Sequence, residues 1–270
     1  RPGSEEMAPL KQLHLRGAHL TSERNVVKLS GLVDFGQRSL DLSGSLRLGD
    51  LKGLLGTWNI QMVGGALDLD QLRLRGPFLD PDASGRLRWT RARVASLPLG
   101  QVTTRVQLDS GLLTLDDVEQ KAPWGRALAD ATLRLWRRDM RKMDPAMPFR
   151  VRRLAMRDVS LQGLLPGKGI KSRVTLDGRN LSGDLKDVLG TLRGEAVLRG
   201  ADLHVGPERA QSFQARLRGD EKQVRVDDLA LVLETGHRFD GSLTIDKATR
   251  RMQAKLRTGG MPFGAWDVRA

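Results

Sequence analysis

Residues able to do chemistry are few in this chain, and their spacing is poor for it. There is no cysteine, which removes thiolate nucleophiles, disulfides and cysteine metal ligands without identifying a compartment. The four histidines are His14, His19, His204 and His237. None has a second His or Cys at metal-ligand spacing, so no metal site is expected. Two acidic pairs stand out, Asp116-Asp117 and Asp227-Asp228, in the similar frames LDDV and VDDL. A carboxylate pair is the equipment of a glycosidase. The recurrence of one local frame at a junction between strand-like runs points instead to turn chemistry. No Gly-x-Ser-x-Gly elbow is present. The GKG at 167–169 lacks the glycine spacing and the Lys-Ser/Thr ending of a phosphate loop. No catalytic residue, metal ligand or cofactor site is assigned, and the chain is read as a non-enzyme.

The elements that would carry any site are strands. From Gly64 to Trp136, short runs of alternating apolar and polar residues are separated by turn residues. These include Gly76-Pro77, Asp80 to Asp82, Ser84-Gly85, Pro98 to Gly100, Asp109 to Gly111 and Pro123 to Gly125. A side-chain period of two marks a strand with one apolar and one wet face, and regular turns mark an antiparallel meander. The same texture precedes this stretch at 13–20, 26–33 and 40–48, with a hairpin at Gly36 to Arg38. It resumes at 150–162, with a phase slip near Leu154, and at 173–181. Strands are then expected at 192–198, 201–206, 211–218, 223–227, 228–234, 238–245 and 250–257. The total is roughly sixteen, and at ~4.8 Å per strand a flat sheet would extend on the order of 75 Å. It must therefore curl, coil or fold over.

One segment breaks the period and recurs. GDLKGLLGT at 49–57 returns as GDLKDVLGT at 183–191, identical at seven of nine positions. Leu51, Leu54 and Leu55 have the spacing of a helical turn, with Asp50 as its cap. Each copy is expected to be a short plug in an internal repeat. The loop at 137–149, rich in Arg and Met, suggests a repeat boundary near 137–150 within a single continuous domain over 1–270. It also offers a surface for lipid or a partner, against the plainer reading of a solvated loop.

The formal net charge is +13, from 45 Lys and Arg against 32 Asp and Glu. An excess of this size attracts nucleic acid or an anionic membrane surface. Here it is spread along the strands as L-R-L-R, which fits Arg as the polar residue of the wet face. No nucleic-acid motif appears, and the five Trp and six Phe are scattered. Only Trp89, between Arg88 and Arg91, resembles a stacking platform, so nucleic acid is not expected as a partner. No apolar run of 18 residues exists to span a bilayer as a helix. The chain begins and ends in mid-pattern and is read as an internal fragment of a longer protein.

The order of motifs resembles the AsmA-like superfamily, in particular its TamB-type members. The residues that carry the likeness are LRLRG at 72–76, PFLDP at 77–81, GRLRW at 85–89, LPLG at 97–100, VQLDSG at 106–111 and LTL at 113–115. VRVDDLALVLETGHRFDGSL at 224–243 and the two GDLKxxLGT segments are similar to the same family's units. The resemblance covers about residues 13–263. It implies an all-β fold, a long curled antiparallel meander forming an open groove or half-pipe with one or two short helical turns. It also implies a place, the periplasm of a Gram-negative bacterium, with the rest of the chain supplying an anchor in the inner membrane. The implied function is carriage of phospholipids between inner and outer membranes, acyl chains lying in the apolar groove. The alternatives are a scaffold for outer-membrane barrel assembly, with a barrel protein as partner, and a closed β-sandwich module for an anionic ligand. The lining expected from the alternation is Leu87, Trp89, Val106, Leu108, Leu113, Leu115, Leu133, Leu135, Leu198, Phe213, Leu217, Leu231, Leu233 and Leu243. Each would serve equally as sandwich core.

Overall fold

The computed structural model describes residues 10–22, 24–49, 63–94, 97–135, 147–164, 169–205, 208–258 and 261–269. These form one sixteen-stranded antiparallel sheet in which order in space equals order in the chain. The first half comprises β1 Gln12–Thr21, β2 Asn25–Asp34, β3 Ser39–Leu48, β4 Val63–Pro77, β5 Asp82–Val94, β6 Leu97–Asp109, β7 Leu112–Ala122 and β8 Gly125–Arg134. The second comprises β9 Pro148–Ser160, β10 Ile170–Asp184, β11 Arg193–Val205, β12 Glu208–Gly219, β13 Gln223–Leu233, β14 Arg238–Asp246, β15 Arg251–Thr258 and β16 Met261–Arg269. Two single turns of helix interrupt it, α1 Leu161–Leu164 and α2 Val188–Thr191. β1 and β16 do not pair with each other, so the sheet is open.

Alternation within strands becomes a continuous face because directly paired residues point the same way. Leu42, Leu74, Ala83, Leu108, Leu113, Leu133, Phe149 and Gly183 are successive partners across β3 to β10. Leu154, Gly178, Ala196, Leu217, Val226, Leu243 and Ala254 continue an apolar row from β9 to β15. The opposite face is charged. Arg47 pairs with Asp68, Arg75 with Asp41 and Arg157 with Asp177, at 2.6, 3.0 and 2.7 Å. These pairs are solvent-exposed and each contributes at most about 1 kcal/mol.

Extensive strand–strand packing joins neighbours in the chain, and side chains such as Arg152 and Phe213 reach one strand further. The accessible surface of 18576 Å² is about 1.6 times the ~11,600 Å² of a compact protein of this mass. Buried apolar residues are scattered along the sheet, from Leu42 and Leu72 to Ala215 and Val224, and they gather into a cluster where Trp124, in the β7–β8 turn, packs with Val159 and Val174. Leu161 of α1 and Phe213 extend that cluster.

Curl has an identifiable source. Seven non-glycine residues inside strands have φ between 50° and 54°: Gln71, Arg91, Asp117, Asp158, Asn180, Asp202 and Asp228. Each sits where the register slips against a neighbour. These are β-bulges, which bend the strand and increase its twist. Five of the seven are Asp or Asn, the side chains that tolerate the left-handed region best. Small residues crowd the apolar face, Ala127, Ala129 and Ala131 of β8 among them. That is the face a curl compresses.

Several expected breaks are absent. Ser84-Gly85 lies inside β5, and Pro98 to Gly100 inside β6. Arg199-Gly200 is not a turn, because β11 runs straight through it. The two strands expected over 223–234 are one, β13 Gln223–Leu233, and both Asp-Asp pairs sit at mid-strand bulges, not turns. An Asp at positive φ satisfies either geometry, which is why local sequence reads them alike. The phase slip near Leu154 is real: β9 carries one extra residue between Val151 and Arg153, opposite Ala131 and Asp130. β16 and α1 were not expected from the sequence.

The two GDLK segments lie at connections seven strands apart. The first is the β3–β4 connection, and residues 50–62 lie outside the described residues. The second follows β10. Seven strands separate them, an odd number, so they leave the sheet at opposite ends of the strands. The second copy ends in α2, whose turn is held by Asp187. Its carboxylate accepts the Gly190 N–H at 3.0 Å, and its carbonyl accepts the Thr191 N–H at 3.1 Å. Residues 136–146, most of the expected Arg- and Met-rich loop, also lie outside the described residues. β8 and β9 on either side pair directly, so the sheet continues across the expected repeat boundary.

Candidate functional site

The candidate site is the apolar face itself, and its geometry follows from the register. Leu87 and Trp89 of β5 pair with Leu69 and Leu67 of β4. Val106 and Leu108 pair with Leu115 and Leu113, and Leu113 with Leu133. Leu135 lies two residues beyond Leu133, where its N–H still bonds the Gly111 carbonyl at 2.8 Å. Leu198 pairs with Leu176 and Ala215, Leu217 with Ala196 and Val226, and Val226 with Leu243. Phe213 pairs with Leu231, and Leu233 with Ala210. All fourteen expected residues are thus placed on one face, and every one is half-buried. They are covered by their lateral neighbours, with no second sheet above them among the described residues. The alternation missed other members, among them Leu69, Leu74, Leu154, Leu176 and Phe239, although the same period would have found them.

Polar groups on this face serve the sheet. Thr104 is buried opposite the Asp117 bulge, and its hydroxyl donates to the Asp116 carbonyl at 2.8 Å. Ser172 does the same opposite the Asp202 bulge, donating to the Ala201 carbonyl at 2.7 Å. Gln120 donates to the Leu99 carbonyl at 2.8 Å, and the Trp124 indole N–H to the Pro98 carbonyl at 2.6 Å. Each fills a gap that a bulge or turn leaves in the ladder, as buried polar groups must. Trp89, singled out as a stacking platform, is half-buried on the apolar face, and its indole donates to the Gly64 carbonyl at 2.9 Å.

The acidic pairs are neutralised by arginine. Asp117 is bonded by Arg105, and Asp116 by Arg152 of β9 at 2.9 Å. Asp228 faces Arg216 at 3.5 Å, and Asp227 faces Arg218 at 3.9 Å. The carboxylates with displaced pKa values mostly hold turns. The Gln223 and Lys222 amides keep Asp220 below the usual carboxylate range, and the Thr249 amide and hydroxyl do so for Asp246. Asp34 is lowered chiefly by the Gln37 amide, and Asp177 by its bond to Arg157. Burial lowers Lys247, whose ammonium bonds the Leu192 and Asp220 carbonyls at 2.6 Å each. No group of three or more potential metal ligands occurs among the described residues. No described helix is long and apolar enough to cross a membrane.

What the arrangement offers is therefore a long strip of aliphatic surface, with no titratable group built into it among the described residues, backed by a charged face. Comparison with protein-family models, curated proteins and solved structures found no match to the chain.

Proposed function

We propose that the chain is a segment of an envelope-spanning protein that carries phospholipids along its apolar groove. The acyl chains lie on the leucine-rich face, and movement runs between the inner and outer membranes of a Gram-negative bacterium. The observation that carries this reading is the continuity of the face across the sheet, without a covering layer among the described residues. A methylene fully removed from water gains ~0.8 kcal/mol, and one lying on an open face gains a part of that. A row of similar, shallow contacts gives no single point where a chain is trapped. The protein would act in the periplasm, held to the inner membrane by a part of the protein outside this chain.

A scaffold role in outer-membrane barrel assembly is the second reading. It rests on β1, whose outer edge has no strand partner among the described residues and is free to accept a client strand.

The test is site-specific photocrosslinking on the full-length protein in cells. Probes at Leu108 and Leu198 should capture phospholipid, and Leu115→Asp or Leu231→Asp should abolish capture at neighbouring positions while the strand content stays unchanged. Protein extracted from membranes should carry phospholipid by mass spectrometry. Absence of lipid together with unchanged crosslinking in both Asp variants would reject the reading.

A further inference from the structure

The charged face carries a feature that the groove does not account for. Near the end of the sheet where β10 gives way to α2, a cleft of 570 Å³ opens on this face, lined from β7 to β11. Thr132, Arg150, Ser182 and Arg193 form one row across β8, β9, β10 and β11, each the direct partner of the next. Arg134 lies two residues along β8 from Thr132 and faces the same cleft. Strands are ~4.8 Å apart, so the Arg150 and Arg193 backbones flank Ser182 at about 10 Å. Long side chains from either side can converge over that serine.

Several arginines on this face have no carboxylate partner among the described residues, and this cleft brings two of them together beside hydroxyl groups. Arg193 meets Glu221 at 3.2 Å. Arg134 and Arg150 have no carboxylate within ion-pair distance among the described residues, and the Thr132 and Ser182 hydroxyls have no hydrogen-bond partner there. Asp184 is the acidic residue of the lining, and one of its carboxylate oxygens accepts the Lys186 N–H at 2.8 Å. The Thr191 hydroxyl is fully used, accepting from the Asp184 amide at 2.7 Å and donating to the Asp187 carbonyl.

We propose that this cleft binds a phosphate group, gripped by the Arg134 and Arg150 guanidinium forks and received by the Ser182 and Thr132 hydroxyls. Two unneutralised forks beside free hydroxyl donors match a tetrahedral oxyanion, which arginine holds bidentately. The chemistry is shared by a free phosphate and by a lipid phosphate at the sheet's rim. The site lies on the face opposite the groove and does not depend on the lipid-carriage reading.

Calorimetric titration of the protein with inorganic phosphate should give saturable binding. Arg134→Gln/Arg150→Gln should weaken it by about tenfold or more, the range for lost charge-assisted hydrogen bonds. Arg225→Gln/Arg257→Gln, which removes the same charge elsewhere on the charged face, should leave it within about twofold by the same measure. Arg150→Lys keeps the charge but loses the fork, so it should weaken binding even if the double variant folds poorly. Flotation with phosphatidylcholine vesicles, with and without phosphatidic acid, separates the sources. Binding to the acidic vesicles that requires Arg134 and Arg150 identifies a headgroup; phosphate binding without it identifies the free anion. Equal loss in the two double variants, or no Arg-dependent binding to either probe, overturns the proposal. Leu115→Asp should leave phosphate binding unchanged, so failure of the groove reading and failure of this one are distinguishable.

Discussion

Asp117 and Asp228 occupy equivalent places 111 residues apart, each one residue after the direct partner of an arginine, Arg105 and Arg216. Both adopt a conformation that a β-branched side chain resists. Asp228→Gly should therefore be nearly neutral, whereas Asp228→Val should cost about 1–3 kcal/mol, read from urea unfolding midpoints. Equal effects of the two changes would mean that the carboxylate, not the backbone, matters there. The same residues show the limit of local reading. Asp at positive φ is the chemistry of a turn and of a bulge alike, and only the partner strand decides between them. The face of each leucine was legible because period two needs no partner. Arg134 and Arg150 were not legible as a pair, because sixteen residues and a change of strand separate them.

Strands read well from the sequence, and their connections read poorly. The separate strands expected at 192–198 and 201–206 are one strand, β11, in the structure. The structure uses Gly200 as a seat for the Phe213 ring, which lies where a Cβ would stand. Gly200→Leu should push the ring out and lower stability by about 1–3 kcal/mol. The double variant with Phe213→Ala should recover part of that loss, which thermal melts would show. α1 is too short to announce a helix in the sequence, although Ser160 caps it, its hydroxyl accepting the Gly163 N–H at 3.3 Å. It exists because Leu161 packs on the Trp124 cluster. The GDLK repetition is legible as sequence, and the strand count places its copies at connections on opposite rims of the sheet.

At the scale of the whole molecule, the prediction concerns size. A compact chain of this length has a radius of gyration of about 18 Å. Small-angle scattering should return a clearly larger value, and one near 18 Å would mean that the sheet closes on itself. That the sheet must bend was readable from the number of strands, because a flat sheet of sixteen is unfavourable. That it stays open was not readable, since the same leucines would build a sandwich core. Identity between chain order and spatial order has a further consequence, one of parity. Removing one hairpin, such as β14 with β15, would shorten the sheet by about 10 Å and leave every remaining strand running in its original direction. Removing a single strand would reverse all that follow and carry each later connection to the opposite rim. Such a molecule is a ruler graduated in pairs of strands, whose length can be reset by whole hairpins without redesigning what remains.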